Sequence, residues 1–129
     1  MPARVVLAAT MGKILSKVFY YWLPAIFCGI FIFSVSSLPG KNIPEFFPYQ
    51  DIVFHAGIYG VFALLISRLV KVYNPARTKI WQLLFVLGII FVFALTDEFH
   101  QSFVPNRTAS VLDIGIDCLG AVIAAFFYL

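Results

Sequence analysis

The chain has 129 residues, 62% of them hydrophobic and 12% charged, with a mean hydropathy of +0.97. An ordinary soluble domain carries about 25% charged residues, so a water-soluble fold of this length could not hide so much apolar surface; the composition predicts a single all-α, polytopic membrane domain. The formal charge of +3 comes from basic residues spread along the chain without interleaved aromatics, which argues against nucleic acid as a partner and makes the cations topology signals.

Four spans of the roughly 20 residues that a bilayer requires fall at about 19–38, 52–70, 80–99 and 111–129. Arg4, Lys13 and Lys17 precede the first, and Arg68, Lys71, Arg77 and Lys79 lie around the turn between the second and third, whereas the opposite side holds only Lys41 and Arg107. The positive-inside rule then predicts a protein integral to the cytoplasmic membrane with both termini in the cytoplasm. All six acids, Glu45, Asp51, Asp97, Glu98, Asp113 and Asp117, fall on the outer side, where six acids against two basic residues leave a formal charge of −4.

The first span is too long and too rich in Phe, Tyr and Trp for a secretory h-region, so it reads as a retained helix, with Tyr20, Tyr21 and Trp22 suited to the cytoplasmic interface and Pro24 near its start. Cys28 and Cys118 sit inside spans as small hydrophobes rather than a bridged pair. Pro39-Gly40 marks a turn, and Pro44 to Pro48 reads as a connector whose two phenylalanines dip into the outer interface, with a flap over the polar site as the alternative.

Asp51, His55 and Tyr59 recur at i, i+4 and i+8, forming one polar stripe at the outer end of the second span. Asp51 is placed to bond His55 and fix its tautomer, as a catalytic or metal-binding imidazole needs; an N-capping Asp and a His bonded to a carbonyl is the alternative. The inner loop 71–79 carries no visible chemistry. The third span is apolar to Leu95 and then turns polar: Asp97 and Gln101 share a face, Glu98 lies about 100 degrees round the helix, and His100 follows one turn after Asp97. Adjacent carboxylates at a membrane boundary suit a general acid or a divalent cation, or simply mark a helix end in the interface. Pro105-Asn106-Arg107 is a turn, and Ser110 reads as the N-cap of the last helix with Asp113 at N3. Asp117 lies deeper, among Ile114, Ile116, Leu119 and Val122, where a carboxylate must pair, bind an ion or stay protonated; Arg107 is the expected partner.

Asp51-x3-His55-x3-Tyr59 and Asp97-Glu98-x2-Gln101-x5-Arg107-x2-Ser110-x2-Asp113-x3-Asp117-x2-Gly120 resemble the VanZ-like family of small membrane proteins, named for a member associated with teicoplanin resistance. The resemblance covers roughly residues 30–126. It departs at Ile52, where members often carry Lys, and at Asp117, where many have Asn. It implies a role in the cell envelope and antibiotic resistance without fixing a biochemical activity.

Two function classes follow. One is a membrane-embedded enzyme acting on a lipid-linked or amphiphilic envelope substrate, with His55, Asp97, Glu98 and Asp117 as the catalytic groups and Asp51, Tyr59, Gln101, Arg107, Ser110 and Asp113 lining the substrate site. His55 or a carboxylate would serve as general base or ligand to a divalent cation, and Arg107 as anion clamp. The other is a non-catalytic binder of a lipid, a cell-wall precursor or a glycopeptide. Ion passage ranks third, because no acid continues into the inner halves of the spans, and the oligomeric state is left open. The charge asymmetry predicts that a cysteine placed at Asn74 is labelled only from the cytoplasm and one at Asn42 only from outside; the reverse pattern in intact cells and inverted vesicles would put the acids on the inner face.

Overall fold

In the computed structural model, which describes residues 3–129, the chain forms four α-helices: α1 (Ala3–Ser36), α2 (Gln50–Tyr73), α3 (Lys79–Gln101) and α4 (Val111–Tyr128). All four are long and apolar enough to cross a membrane. At 34 residues α1 is about 51 Å long, well beyond a hydrocarbon core of roughly 30 Å, so it starts 16 residues ahead of the span read from hydropathy and runs on through Pro24. Its extra turns carry Arg4, Lys13 and Lys17 and are exposed throughout.

The outer surface of the bundle is apolar, with Phe27, Phe127, Val111 and Leu84 largely exposed. That surface suits lipid. At the end holding the α2–α3 turn, cations stack on aromatic rings: Arg68 over Tyr20 and Tyr21, Lys71 over Tyr128, and Arg77 over Trp81. Trp22 Nε1 donates to the Tyr73 hydroxyl at 3.2 Å, closing an interfacial belt of amphipathic side chains.

With lipid outside, the helices gain little by burying leucine and must associate through close packing. The seam between α2 and α4 shows this most clearly, because Ala56 and Gly60 on one helix face Gly120 and Ala124 on the other. A Cβ on Gly120 would collide with the Ala56 carbonyl, and one on Gly60 would meet the Gly120 carbonyl oxygen at 3.4 Å. The third helix lies against both, and α1 leans on α2 and α3 without reaching α4.

Each inner face changes character along its length. On α3 the buried positions run Gln82, Val86, Ile90, Ala94 and then Asp97 and Gln101, at helical spacing. On α4 they run from Ala125 through Ala121 and Gly120 to Asp117, and on α2 from Val70 through Ile66 and Ala63 to Tyr59. The three seams therefore turn polar at the same end, the one carrying the 37–49 connector and the 102–110 turn.

Gly120→Ala is expected to destabilise the bundle by about 1–3 kcal/mol, since the clash is with backbone that a side-chain rotation cannot relieve. Gly115→Ala on the same helix meets nothing within 4 Å and is expected to be neutral or stabilising by up to about 1 kcal/mol. Thermal unfolding in detergent, followed by circular dichroism, distinguishes them; equal effects would mean that α2 and α4 do not touch at Gly120.

Candidate functional site

At the polar end the site is built in two linked layers. In the first, Asp97 is the common acceptor: its Oδ2 receives Ser36 Oγ at 2.7 Å, the Tyr59 hydroxyl at 3.2 Å and Gln101 Nε2 at 3.3 Å, and Gln101 also donates to Ser36 Oγ at 3.2 Å. One carboxylate oxygen thus ties α1, α2 and α3 together. Asp97, Gln101, Tyr59 and Ser36 are all buried.

The second layer joins α2, α4 and the end of α3. The close α2–α4 seam, one residue beyond His55 and three beyond Asp117, brings His55 Nδ1 within 2.9 Å of Asp117 Oδ1. The expected Asp51–His55 pairing and the expected Arg107–Asp117 pairing are both replaced by this contact. Asp51 is exposed on the first turn of α2, where it lines the mouth of the site, because the tight helix crossing puts Asp117 rather than the preceding turn of α2 against the imidazole.

Ser110 caps α4 as its sequence position predicts, with its Oγ accepting from the Asp113 N–H at 3.4 Å. In a capping box a Glu at N3 would return the bond to the cap's own N–H; here Glu98 of α3 does so across the turn, its Oε2 accepting from the Ser110 N–H at 2.7 Å. The carboxylate is thereby aimed from α3 towards the start of α4, and the side chain of Asp113 is left free of capping duty. Ligand atoms of His55, Glu98 and Asp113, drawn from three helices, lie within 4.8 Å of one another, a grouping of metal-ligand types close enough to be a candidate metal site among the described residues.

Arg107 takes partners that its sequence position does not suggest. Its Nε donates to the Leu38 carbonyl at 3.2 Å and its Nη2 to the Val35 carbonyl at 3.1 Å, so it caps the C-terminal end of α1, where unpaired carbonyls and the helix dipole favour a cation. Two of its five N–H donors are used in this way. Nearby, the Gly40 N–H donates to the Pro105 carbonyl at 3.1 Å, and a Cβ on Gly40 would strike the Asn106 carbonyl, so the end of α1 and the Asn106 turn are sealed together.

A cavity of about 840 Å³ opens beside these layers, between α1, α2 and the 37–49 connector. Its polar wall includes His55, Asp97, Gln101, Arg107 and Asp113, and its apolar wall Phe31, Val35, Val53 and Phe54, which are also exposed on the outer surface of the bundle. The connector that borders it is pinned: buried Gln50 donates to the Pro44 carbonyl at 2.8 Å and accepts from the Phe46 N–H at 2.7 Å, while Phe46 and Phe47 stay exposed. A smaller groove of about 450 Å³, between Trp22, Gly29, Phe62 and Phe93, is apolar and away from the carboxylates, as a lipid-facing seam would be.

Ser36 and Gln50 are polar groups of this end that motif and spacing do not single out. Both are buried, and the only sequence signal for Ser36 is its place at the end of the first apolar run. His100, by contrast, turns away from the site, hydrogen-bonded through Nε2 to Ser37 Oγ at 2.9 Å and stacked on Phe33 at 4.2 Å.

A model of the family described as VanZ/LLP1 matches residues 17–129, which takes in every one of these polar positions. No curated protein and no solved structure matches the chain. With a match over all four helices and over both layers of the polar end, the chain belongs to the VanZ/LLP1 family of membrane proteins.

Proposed function

We propose that this VanZ-type membrane protein is an envelope enzyme that takes a lipid-linked or amphiphilic molecule into the cavity at its polar end, and that this end faces outward. The observation that carries the reading is the cavity's double character: one wall continues the lipid-exposed surface through Phe31, Val53 and Phe54, and the other presents His55, Asp97 and Asp113. An amphiphile fits such a site with its chain in the lipid-facing opening and its head group against the polar wall, which Arg107 also lines. A soluble metabolite would have no use for the open side.

Catalysis rather than passive binding is favoured by the His55–Asp117 pair. A carboxylate on Nδ1 fixes the imidazole's orientation and leaves Nε2 as the working nitrogen, the arrangement that general-base and metal-ligand histidines share. Arg107 lines the cavity with N–H donors still free after capping α1, which supports contact with an anionic head group. The alternative, a non-catalytic binder of lipid, cell-wall precursor or glycopeptide, uses the same cavity without needing an oriented imidazole.

The two readings separate in cells expressing the chain and assayed for teicoplanin susceptibility, the phenotype suggested by the family resemblance. For the enzyme, His55→Ala and Glu98→Gln return susceptibility to the level of cells lacking the protein while membrane yield and binding of the amphiphile persist. A binder loses affinity and phenotype in parallel. Full activity of both variants would contradict either use of the cavity.

A further inference from the structure

We infer that His55, Glu98 and Asp113 are the three protein ligands of a divalent transition-metal site, with zinc the metal the donor set favours. This deepens the enzyme reading, on which it rests for the metal's use but not for the metal's binding.

The three side chains come from α2, the last turn of α3 and the first turn of α4, and their ligand atoms already lie within 4.8 Å of one another. Ligands of a tetrahedral zinc with bonds of about 2.0–2.2 Å stand roughly 3.3 Å apart, so closure asks only for small side-chain movements. Proximity of acids alone would not make a site. The second observation is that Glu98, 3% exposed, has Oε1 buried with no hydrogen-bonding protein group among the described residues, while its Oε2 is held by the Ser110 N–H. A carboxylate held by one oxygen and bare at the other is oriented as a ligand is.

The outer contacts also match those a metal centre uses. A ligating histidine ordinarily gives its second nitrogen to a carboxylate, and His55 Nδ1 has Asp117 Oδ1 at 2.9 Å, leaving Nε2 for the ion. Charge points the same way. Asp97, Glu98, Asp113 and Asp117 gather at this end of the bundle, and of the cationic side chains nearby, His55 faces Asp117 and Arg107 caps α1. A divalent cation supplies the missing positive charge where lipid and protein screen poorly.

The donor set selects among metals. Calcium and magnesium prefer all-oxygen shells, whereas one imidazole with two carboxylates suits zinc and the neighbouring transition ions. Three protein ligands leave a coordination position open, as catalytic rather than structural zinc sites do. His55 and Asp113 also line the cavity, so an ion held between them would lie at its wall, within reach of the head group of a bound amphiphile.

The test uses the full chain, tag-free, in detergent. After chelator treatment and equilibration with zinc, elemental analysis should find about one zinc per chain, and cobalt(II) in its place should give the visible absorption of a four- or five-coordinate ion. Glu98→Gln and Asp113→Asn should each abolish that spectrum, and Asp117→Asn should weaken zinc roughly 10- to 100-fold through the loss of the outer contact. Asp51→Asn, which changes the cavity mouth but no ligand, should leave both readouts intact. Circular dichroism of each variant separates loss of metal from loss of fold. Zinc binding that is absent from the parent chain, or that survives both Glu98→Gln and Asp113→Asn, would overturn the assignment. If zinc fails to bind while His55→Ala abolishes the phenotype with amphiphile binding intact, the metal site falls and the enzyme reading stands. If zinc binds as expected while His55→Ala keeps the phenotype, the metal site stands and the enzyme reading falls.

Discussion

The structure depends on the burial of carboxylates inside helices whose outer surface is hydrocarbon. Moving an ionised group out of water costs several kcal/mol even after the protein relaxes, so each buried acid must be met by donors, a cation or a proton. Asp97 is met by Ser36, Tyr59 and Gln101 from three helices, Glu98 by the Ser110 N–H, and Asp117 by His55. The end of α1 at Ser36 and the turn at 102–110 leading to Ser110 are placed where they supply those partners.

Such a cluster is a poor way to hold a bundle together. Replacing buried ionic groups by apolar ones of similar volume is often neutral or stabilising by about 1–4 kcal/mol, while α2 and α4 already meet backbone to backbone at Ala56 and Gly120. Packing and chemistry are nonetheless coupled there. The contact that lets α4 approach α2 is the same one that sets His55 against Asp117, so a side chain at Gly120 would disturb the pair without touching either member. Among the described residues, three buried carboxylate oxygens, on Asp97, Glu98 and Asp117, have no protein partner, and a stability role offers no account of them.

Much of this is legible in the sequence, for identifiable reasons. Helix number follows from hydropathy, and the polar end follows from seams whose spacing stays helical while their residues change from Val86 and Ile90 to Asp97 and Gln101. The Ser110 cap is readable because capping is local, between residues three apart. Partners across helices are not. Periodicity shows that Asp51 and His55 share a face, but which carboxylate reaches the imidazole is decided by the α2–α4 crossing, and that depends on two small residues 64 positions apart, Ala56 and Gly120. Arg107 misleads for a similar reason: its charge draws attention to acids, whereas its partners are the carbonyls of Val35 and Leu38 at and just past the end of α1, which no side-chain pattern records.

A particular amphiphile received at the polar end, as proposed above, would have to pass the opening lined by Phe31, Val53 and Phe54. The most direct measurement places a photoreactive benzophenone side chain at Phe54, on the apolar wall of the cavity, or at Phe85, on exposed α3 surface outside it, and identifies the adducts formed in living cells by mass spectrometry. The expected result is a discrete envelope amphiphile crosslinked from position 54 and only bulk phospholipid from position 85. The same phospholipids at both positions, in proportion to their abundance in the membrane, would contradict it.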